Sequence, residues 1–194
     1  MSAFLNRDDC FLLVVDIQQR LYDAMEAGFR ETFLRNSIIL IEAAKACGIP
    51  IVVSEQYPGG LGDTIDAVGQ HITGIPRMEK LSFSCRRDRA IRERIDSLGR
   101  GTAIVCGIEA HVCVMQTAFD LMATGYPVVV SDDAVCSRRV HDRLSALDSM
   151  ARSGALVYST EAIAFMLIEK AGTELFRQLS PLFREDQEDP SLRP

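Results

Sequence analysis

Phe11-Leu12-Leu13-Val14-Val15-Asp16-Ile17 is a continuous apolar run, rich in β-branched residues, that closes on a carboxylate. A strand with one wet face alternates apolar and polar residues, whereas a run without alternation belongs to a strand covered on both faces, as in the middle of a parallel sheet. Similar units recur outward from it. Phe33 to Ala46 carries apolar residues at helical spacing and is stopped by Gly48 and Pro50, after which Ile51-Val52-Val53 reads as a second strand. Between Glu55 and Gly74 the chain turns to Gly, Pro, Asp and Gln, which predicts a long, partly helical excursion. Met78 to Leu81 reads as a short third strand, Asp88 to Leu98 as a helix ended by Gly99 and Gly101, and Thr102 to Gly107 as the fourth strand. A helix from Cys113 to Thr124, a strand from Pro127 to Val130, a helix from Arg139 to Arg152 and a strand from Ala155 to Tyr158 follow.

Strands alternating with helices imply right-handed βαβ units. The expected fold is therefore α/β: one domain with an open, mostly parallel six-stranded sheet and helices on both faces. With 194 residues, 47% of them hydrophobic, the chain is long enough for one sizeable core and short for two. The domain is expected over 1–183. The stretch 184–194 holds too little apolar content to pack and reads as a flexible tail.

The formal charge of −6 argues against nucleic acid or an anionic membrane surface as partner. The basic clusters Arg86-Arg87-Asp88-Arg89 and Arg138-Arg139 read as solvated helix faces. No stretch reaches the roughly 18 apolar residues of a membrane helix, and Met1 to Asn6 lacks the pattern of a signal peptide. Six dispersed cysteines with no C-x-x-C pair fit reduced thiols in a cytoplasmic compartment better than a disulfide framework or a zinc site.

In sheets of this kind ligands sit beyond the carboxyl ends of the strands, at the switch point of the winding. Three reactive side chains fall at such ends. Asp16 closes the first strand, Lys80 lies at or just after the third, and Cys113 follows the fourth within Gly107-Ile108-Glu109-Ala110-His111-Val112-Cys113-Val114. A cysteine where a buried strand turns into a helix has its sulfur near unpaired amide donors and the positive end of a helix dipole, which favours the thiolate. Taken singly, each residue has a structural explanation: a helix cap, a solvated lysine, a core filler. Their convergence on one crevice is what points to chemistry.

Leu13-Val14-Val15-Asp16-Ile17-Gln18, Glu79-Lys80-Leu81-Ser82-Phe83-Ser84, the segment around Cys113, and Gly125 to Ala134 resemble, in order and spacing, the signature segments of the isochorismatase-like cysteine hydrolases. The resemblance implies a catalytic Asp16, Lys80 and Cys113, with an acidic turn after the fifth strand. It also implies a non-proline cis peptide bond, here at Ile108–Glu109, and an oxyanion site formed by backbone N–H groups of Glu109 and Cys113. Residues near these segments, Gln19, Leu21, Tyr57, Phe83 and His111, are candidates for the substrate pocket. His141 reads as ordinary surface.

Metal-dependent nicotinamidases of the same fold carry an Asp-x-His unit after the second strand. This chain has Ser54-Glu55-Gln56-Tyr57 there, with only His71 following, so no metal and no cofactor is expected. The expected function is hydrolysis of a small molecule at an amide or related C–N bond through a thioester on Cys113, by a homo-oligomer. The alternative is a thiol redox or peroxide-responsive protein using Cys113, with Cys85, Cys106 or Cys136 as resolving partner.

Overall fold

The carboxyl edge of a single parallel sheet organises the molecule, for which a computed structural model describes residues 4–184. In chain order, β1 (Cys10–Val15) leads to α1 (Gln19–Ala24) and α2 (Ala27–Ala46). Then β2 (Ile51–Gln56) is followed by the single-turn helices α3 (Pro58–Leu61) and α4 (Asp66–Gly69), and β3 (Arg77–Lys80) by α5 (Arg89–Ser97). The second half comprises β4 (Thr102–Ile108), α6 (Met115–Ala123), β5 (Val128–Cys136), α7 (Val140–Arg152), β6 (Leu156–Tyr158), α8 (Thr160–Ile168) and α9 (Glu174–Leu179). All pairings are parallel, in the order β3-β2-β1-β4-β5-β6. The winding reverses between β1 and β4, and these two strands carry Asp16 and Cys113 at or just beyond their ends.

Every residue of β1 is buried. Because side chains alternate across a strand, Cys10, Leu12 and Val14 join one apolar layer with Phe33, Leu40 and Ile41 of α2 and Ile163 and Leu167 of α8. Phe11, Leu13 and Val15 join the other, with Ile91 and Ile95 of α5, Leu121 of α6 and Met150 of α7. Two covered faces account for the unbroken hydrophobic run.

Several boundaries differ from expectation. α2 starts six residues before Phe33, because the Glu26 side chain accepts a bond from the Gly28 N–H and the polar first turns lie partly in solvent. α1, six residues without an apolar stripe, gave no periodic signal. β5 runs on to Cys136: its register with β4 jumps from Val105↔Val130 to Gly107↔Val135, so the expected acidic turn, Ser131 to Ala134, is an irregular stretch inside the strand. Asp133 Oδ1 there accepts bonds from Thr160 N and Oγ1 and from Ser131 Oγ, tying β5 to the start of α8.

One arginine read as solvated is buried, whereas Arg138 is exposed as expected. Arg86 is 8% exposed, bonds Asp96 at 2.6 Å and lies over the Tyr126 ring. Arg138 Nε donates to Glu109 Oε2 at 2.9 Å. His141 is exposed, and no helix among the described residues is long and apolar enough to cross a membrane. Apart from Arg184, the expected tail lies outside the described residues.

Candidate active site

The strand order places Lys80, Gln56, Asp16 and Cys113 on four adjacent strand ends. Asp16 leaves β1 with φ +52°, a left-handed conformation that Asp tolerates better than most residues. Its N–H donates to Ser54 O at 3.1 Å. Gly107 of β4 has φ +126°, and a Cβ there would stand 2.0 Å from Val15 O, so the close approach of β1 and β4 beside Asp16 requires glycine.

Lys80 Nζ is fully buried and donates to three acceptors: Asp16 Oδ2 at 2.7 Å, Gln56 Oε1 at 2.7 Å and Phe83 O at 3.0 Å. Ser54 Oγ donates to the other carboxylate oxygen, Asp16 Oδ1, at 2.7 Å. Gln56 is locked in turn. Its Nε2 donates to Leu81 O at 2.8 Å and its N–H to Gln18 Oε1, while Gln18 Nε2 donates back to Gln56 O. These partners fix which end of the Gln56 amide faces the ammonium. Burial, the largest single influence, would lower the Lys80 ammonium, but the Asp16 charge, the neighbouring Cys85 and Cys113 and the hydrogen bond to Asp16 together outweigh it and raise its proton affinity.

Cys113 lies in a wide turn, Ala110–Val114, that opens α6. The sulfur is 4.0 Å from Gln56 Oε1, and the residue is 4% exposed. The Ile108–Glu109 bond ahead of it is cis. Burial and then the Asp16 charge push the thiol well above the ordinary range, with Lys80 pulling the other way. Desolvation and the nearby carboxylate thus oppose the thiolate that a helix start favours, and favour the neutral thiol.

The other candidates scatter. A cleft of about 560 Å³ beside Lys80 is lined by Tyr57, Pro58, Leu81, Ser82 and Arg87 among others, and neither Asp16 nor Cys113 is on its wall. Tyr57 therefore lines this cleft, while Phe83 lends its carbonyl to Lys80 and leaves its ring exposed. His111 Nδ1 is 3.0 Å from Ser137 Oγ. Gln19 bonds Asp23 on α1, and Leu21 packs on the apolar layer under α2; neither lines the cleft. Glu55 Oε1 accepts from Thr64 N and Oγ1, and His71 pairs with Glu42, so these two are occupied separately. Among the described residues no three ligand-type side chains group as a metal site would require.

Sequence reasoning missed Ser54, Gln56 and Gln18, and gave Cys85 only the role of a candidate resolving thiol. Cys85 is fully buried; its Sγ donates to Ser54 Oγ at 3.4 Å, and its N–H donates to Thr117 Oγ1. The available signal was the polar close of the second strand, Ser54-Glu55-Gln56, after three apolar residues.

An all-parallel, doubly wound sheet that gathers a carboxylate, an ammonium and a thiol about its switch point defines a class of α/β proteins with a cysteine-containing site. The chain belongs to the isochorismatase family of hydrolases, whose domain model, described as the isochorismatase domain, matches residues 10–162. It is 34% identical over 158 residues to the secreted isochorismatase effector Isc1 of Phytophthora sojae, covering 79% of this chain and 75% of that one. Among solved structures it resembles the MAR1 ribonuclease of Caenorhabditis elegans, with a TM-score of 0.88 and 32% identity over 99% of this chain and 98% of that one. It shares its fold with the YcaC gene product of Escherichia coli, described as an octameric hydrolase of unknown specificity, with a TM-score of 0.90 and 20% identity over 96% and 93% of the two chains.

Proposed function

We propose that the protein is a cysteine-dependent hydrolase of a small molecule, cleaving an amide or related C–N bond through a thioester on Cys113. The observation that carries this reading is the dry Asp16–Lys80 ion pair, 2.7 Å apart, whose carboxylate, after burial, does most to raise the Cys113 thiol. As the sulfur attacks the carbonyl carbon, its proton passes to Asp16. Proton transfer turns carboxylate, ammonium and thiol into carboxylic acid, ammonium and thiolate at unchanged net charge, and attack then moves the negative charge from sulfur to the substrate oxygen. Lys80 then faces the sulfur instead of a carboxylate. This arrangement avoids the cost of creating an unpaired charge in a dry site.

Backbone N–H groups of Glu109 and Cys113 take the oxygen charge of the tetrahedral intermediate. The Glu109 carbonyl accepts from the Val112 and Val114 N–H groups, and its side chain is held by Arg138, so the turn is braced on both sides. Protonated Asp16 gives its proton to the leaving nitrogen as the C–N bond breaks. It then takes a proton from water attacking the thioester, which frees the acid and returns the thiol.

The net charge of −6 favours a small molecule over nucleic acid. The ribonuclease activity named for the nematode relative makes a single-stranded RNA oligonucleotide a necessary member of the test panel. All six cysteines are free, which accords with a reducing, cytoplasmic setting. Exposed Val140 and Leu144, one turn apart on α7, accord with self-association, which light scattering on the purified protein would measure.

The test is a panel of amides, ureides and hydroxamates with Cys113→Ala as control, and intact-mass detection of an acyl adduct on Cys113. Turnover lost in the variant, with an adduct in the native protein, supports the proposal. Peroxide-driven pairing of Cys113 with another cysteine, indifferent to Asp16 and without turnover, would transfer it to the redox class.

A further inference from the structure

Cys85 is a second thiol in the same buried cluster, and the proposed reaction gives it no part. Asp16, Ser54 and Cys85 are each 0% exposed. Asp16 Oδ2 accepts from Lys80, and Oδ1 accepts from Ser54. A serine hydroxyl has one hydrogen to give and must choose an acceptor. Its alternatives are limited here: Cys85 Sγ, 3.4 Å away, comes to the same oxygen as a donor, leaving the Ser54 hydrogen for the carboxylate. The thiol is well suited to that task, since burial and the Asp16 charge push it to about 11 and keep its hydrogen on at neutral pH. The backbone of Cys85 is pinned by Thr117 Oγ1 from α6, so the donor is fixed by an element that also follows Cys113.

We propose that Ser54, oriented by the Cys85 thiol, is a positioning residue that holds the Asp16 carboxylate in place for proton exchange with Cys113. The inference rests on the hydrolase reading for its consequence but not for its geometry. Neither residue touches substrate and no proton travels through them. The charge-assisted bond from Ser54 stabilises the ionised carboxylate. Losing it moves the onset of activity to higher pH.

Ser54→Ala is expected to shift the acid limb of the pH–rate profile up by about one unit and to lower kcat about tenfold with KM within about twofold. Ser54→Thr keeps the hydroxyl and restores the limb, and Cys85→Ala moves it in the same direction by a smaller amount. Thermal melts of each variant separate positioning from loss of the fold. Independently of turnover, the infrared S–H stretching band assigned to Cys85 by its absence in Cys85→Ala moves to higher frequency in Ser54→Ala, because its acceptor is gone. An unmoved acid limb in a folded Ser54→Ala protein, or an unmoved S–H band, overturns the proposal. If the native protein hydrolyses nothing in the panel, the hydrolase reading falls, and the infrared band still decides whether Cys85 holds Ser54.

Discussion

Replacing Asp16 by asparagine separates two properties of Cys113 that ordinarily move together: its reactivity toward added electrophiles and its use in turnover. Asparagine has the same shape and tolerates the left-handed backbone at this position, and the Lys80 ammonium it leaves without a counter-charge is expected to cost about 3–5 kcal/mol of stability. Its amide oxygen still accepts from Lys80, and Ser54 Oγ can turn to accept from the new amide group. What disappears is the negative charge that, after burial, does most to push the thiol up, while the ammonium that opposes it stays. Charges at this range shift a neighbour by about 1 to 3 units. Each unit gives about tenfold more thiolate at neutral pH, offset by lower nucleophilicity with a Brønsted slope of about 0.4–0.5, for a net gain of about 3- to 4-fold in rate per unit. Alkylation of Cys113 by iodoacetamide at pH 7.5 is therefore expected to accelerate by between about 3-fold and about 50-fold. Hydrolysis of any amide substrate falls to the level of Cys113→Ala, because the proton acceptor and donor is gone. Peptide mapping by mass spectrometry gives the labelling rate at the single residue, and thermal melting verifies the fold. A folded Asp16→Asn protein whose Cys113 labels no faster than native would refute the electrostatic account of the site.

Three further outcomes follow from the same geometry. Gly107→Ala drives a Cβ into the Val15 carbonyl, which belongs to backbone and cannot swing away, and is expected to cost about 4 kcal/mol or more; urea unfolding at matched pH measures it, and a loss under about 1 kcal/mol would show that β1 and β4 can part. Lys80→Met keeps the side-chain length but strands a buried carboxylate, for an expected loss of about 3–5 kcal/mol in the same measurement, together with slower labelling of Cys113 because the cation that lowers the thiol is gone. Alkaline pH should unfold the protein through its buried thiols. Burial raises Cys85 to about 11 and Cys10 and Cys106 to about 12 from an ordinary 9.0, so the folded state keeps protons that the unfolded chain releases. Their contribution is complete below pH 9 and is lost as pH rises from there toward 11–12, at up to about 1.4 kcal/mol per thiol per unit; a urea midpoint flat between pH 8 and pH 10.5 would contradict this.

Legibility along the chain tracks how local each signal is. β1 was readable because two covered faces leave no polar position in it, and the helix stops at Gly48 and Gly99 mark real ends. α1 and the run of β5 through Asp132 and Asp133 were not, since a six-residue polar helix lacks periodicity and a bulged strand looks like a turn. Arg86 shows the same limit: a charge run on a helix face is normally solvated, and only the presence of Asp96 and Tyr126 explains its burial.

The linear order of residues was enough to establish an α/β chain with reactive groups at strand ends, because burial on two faces, helical spacing and glycine stops are properties of neighbours a few positions apart. The state of those groups was another matter. Whether Cys113 rests as thiol or thiolate, and which side chains hold Asp16 and Lys80, depends on Ser54, Gln56 and Cys85, separated from their partners by 24 to 38 residues. The parallel ordering of the strands brings them within hydrogen-bonding reach in a dry place. There, desolvation and a single carboxylate raise the thiol against the pull of the Lys80 ammonium.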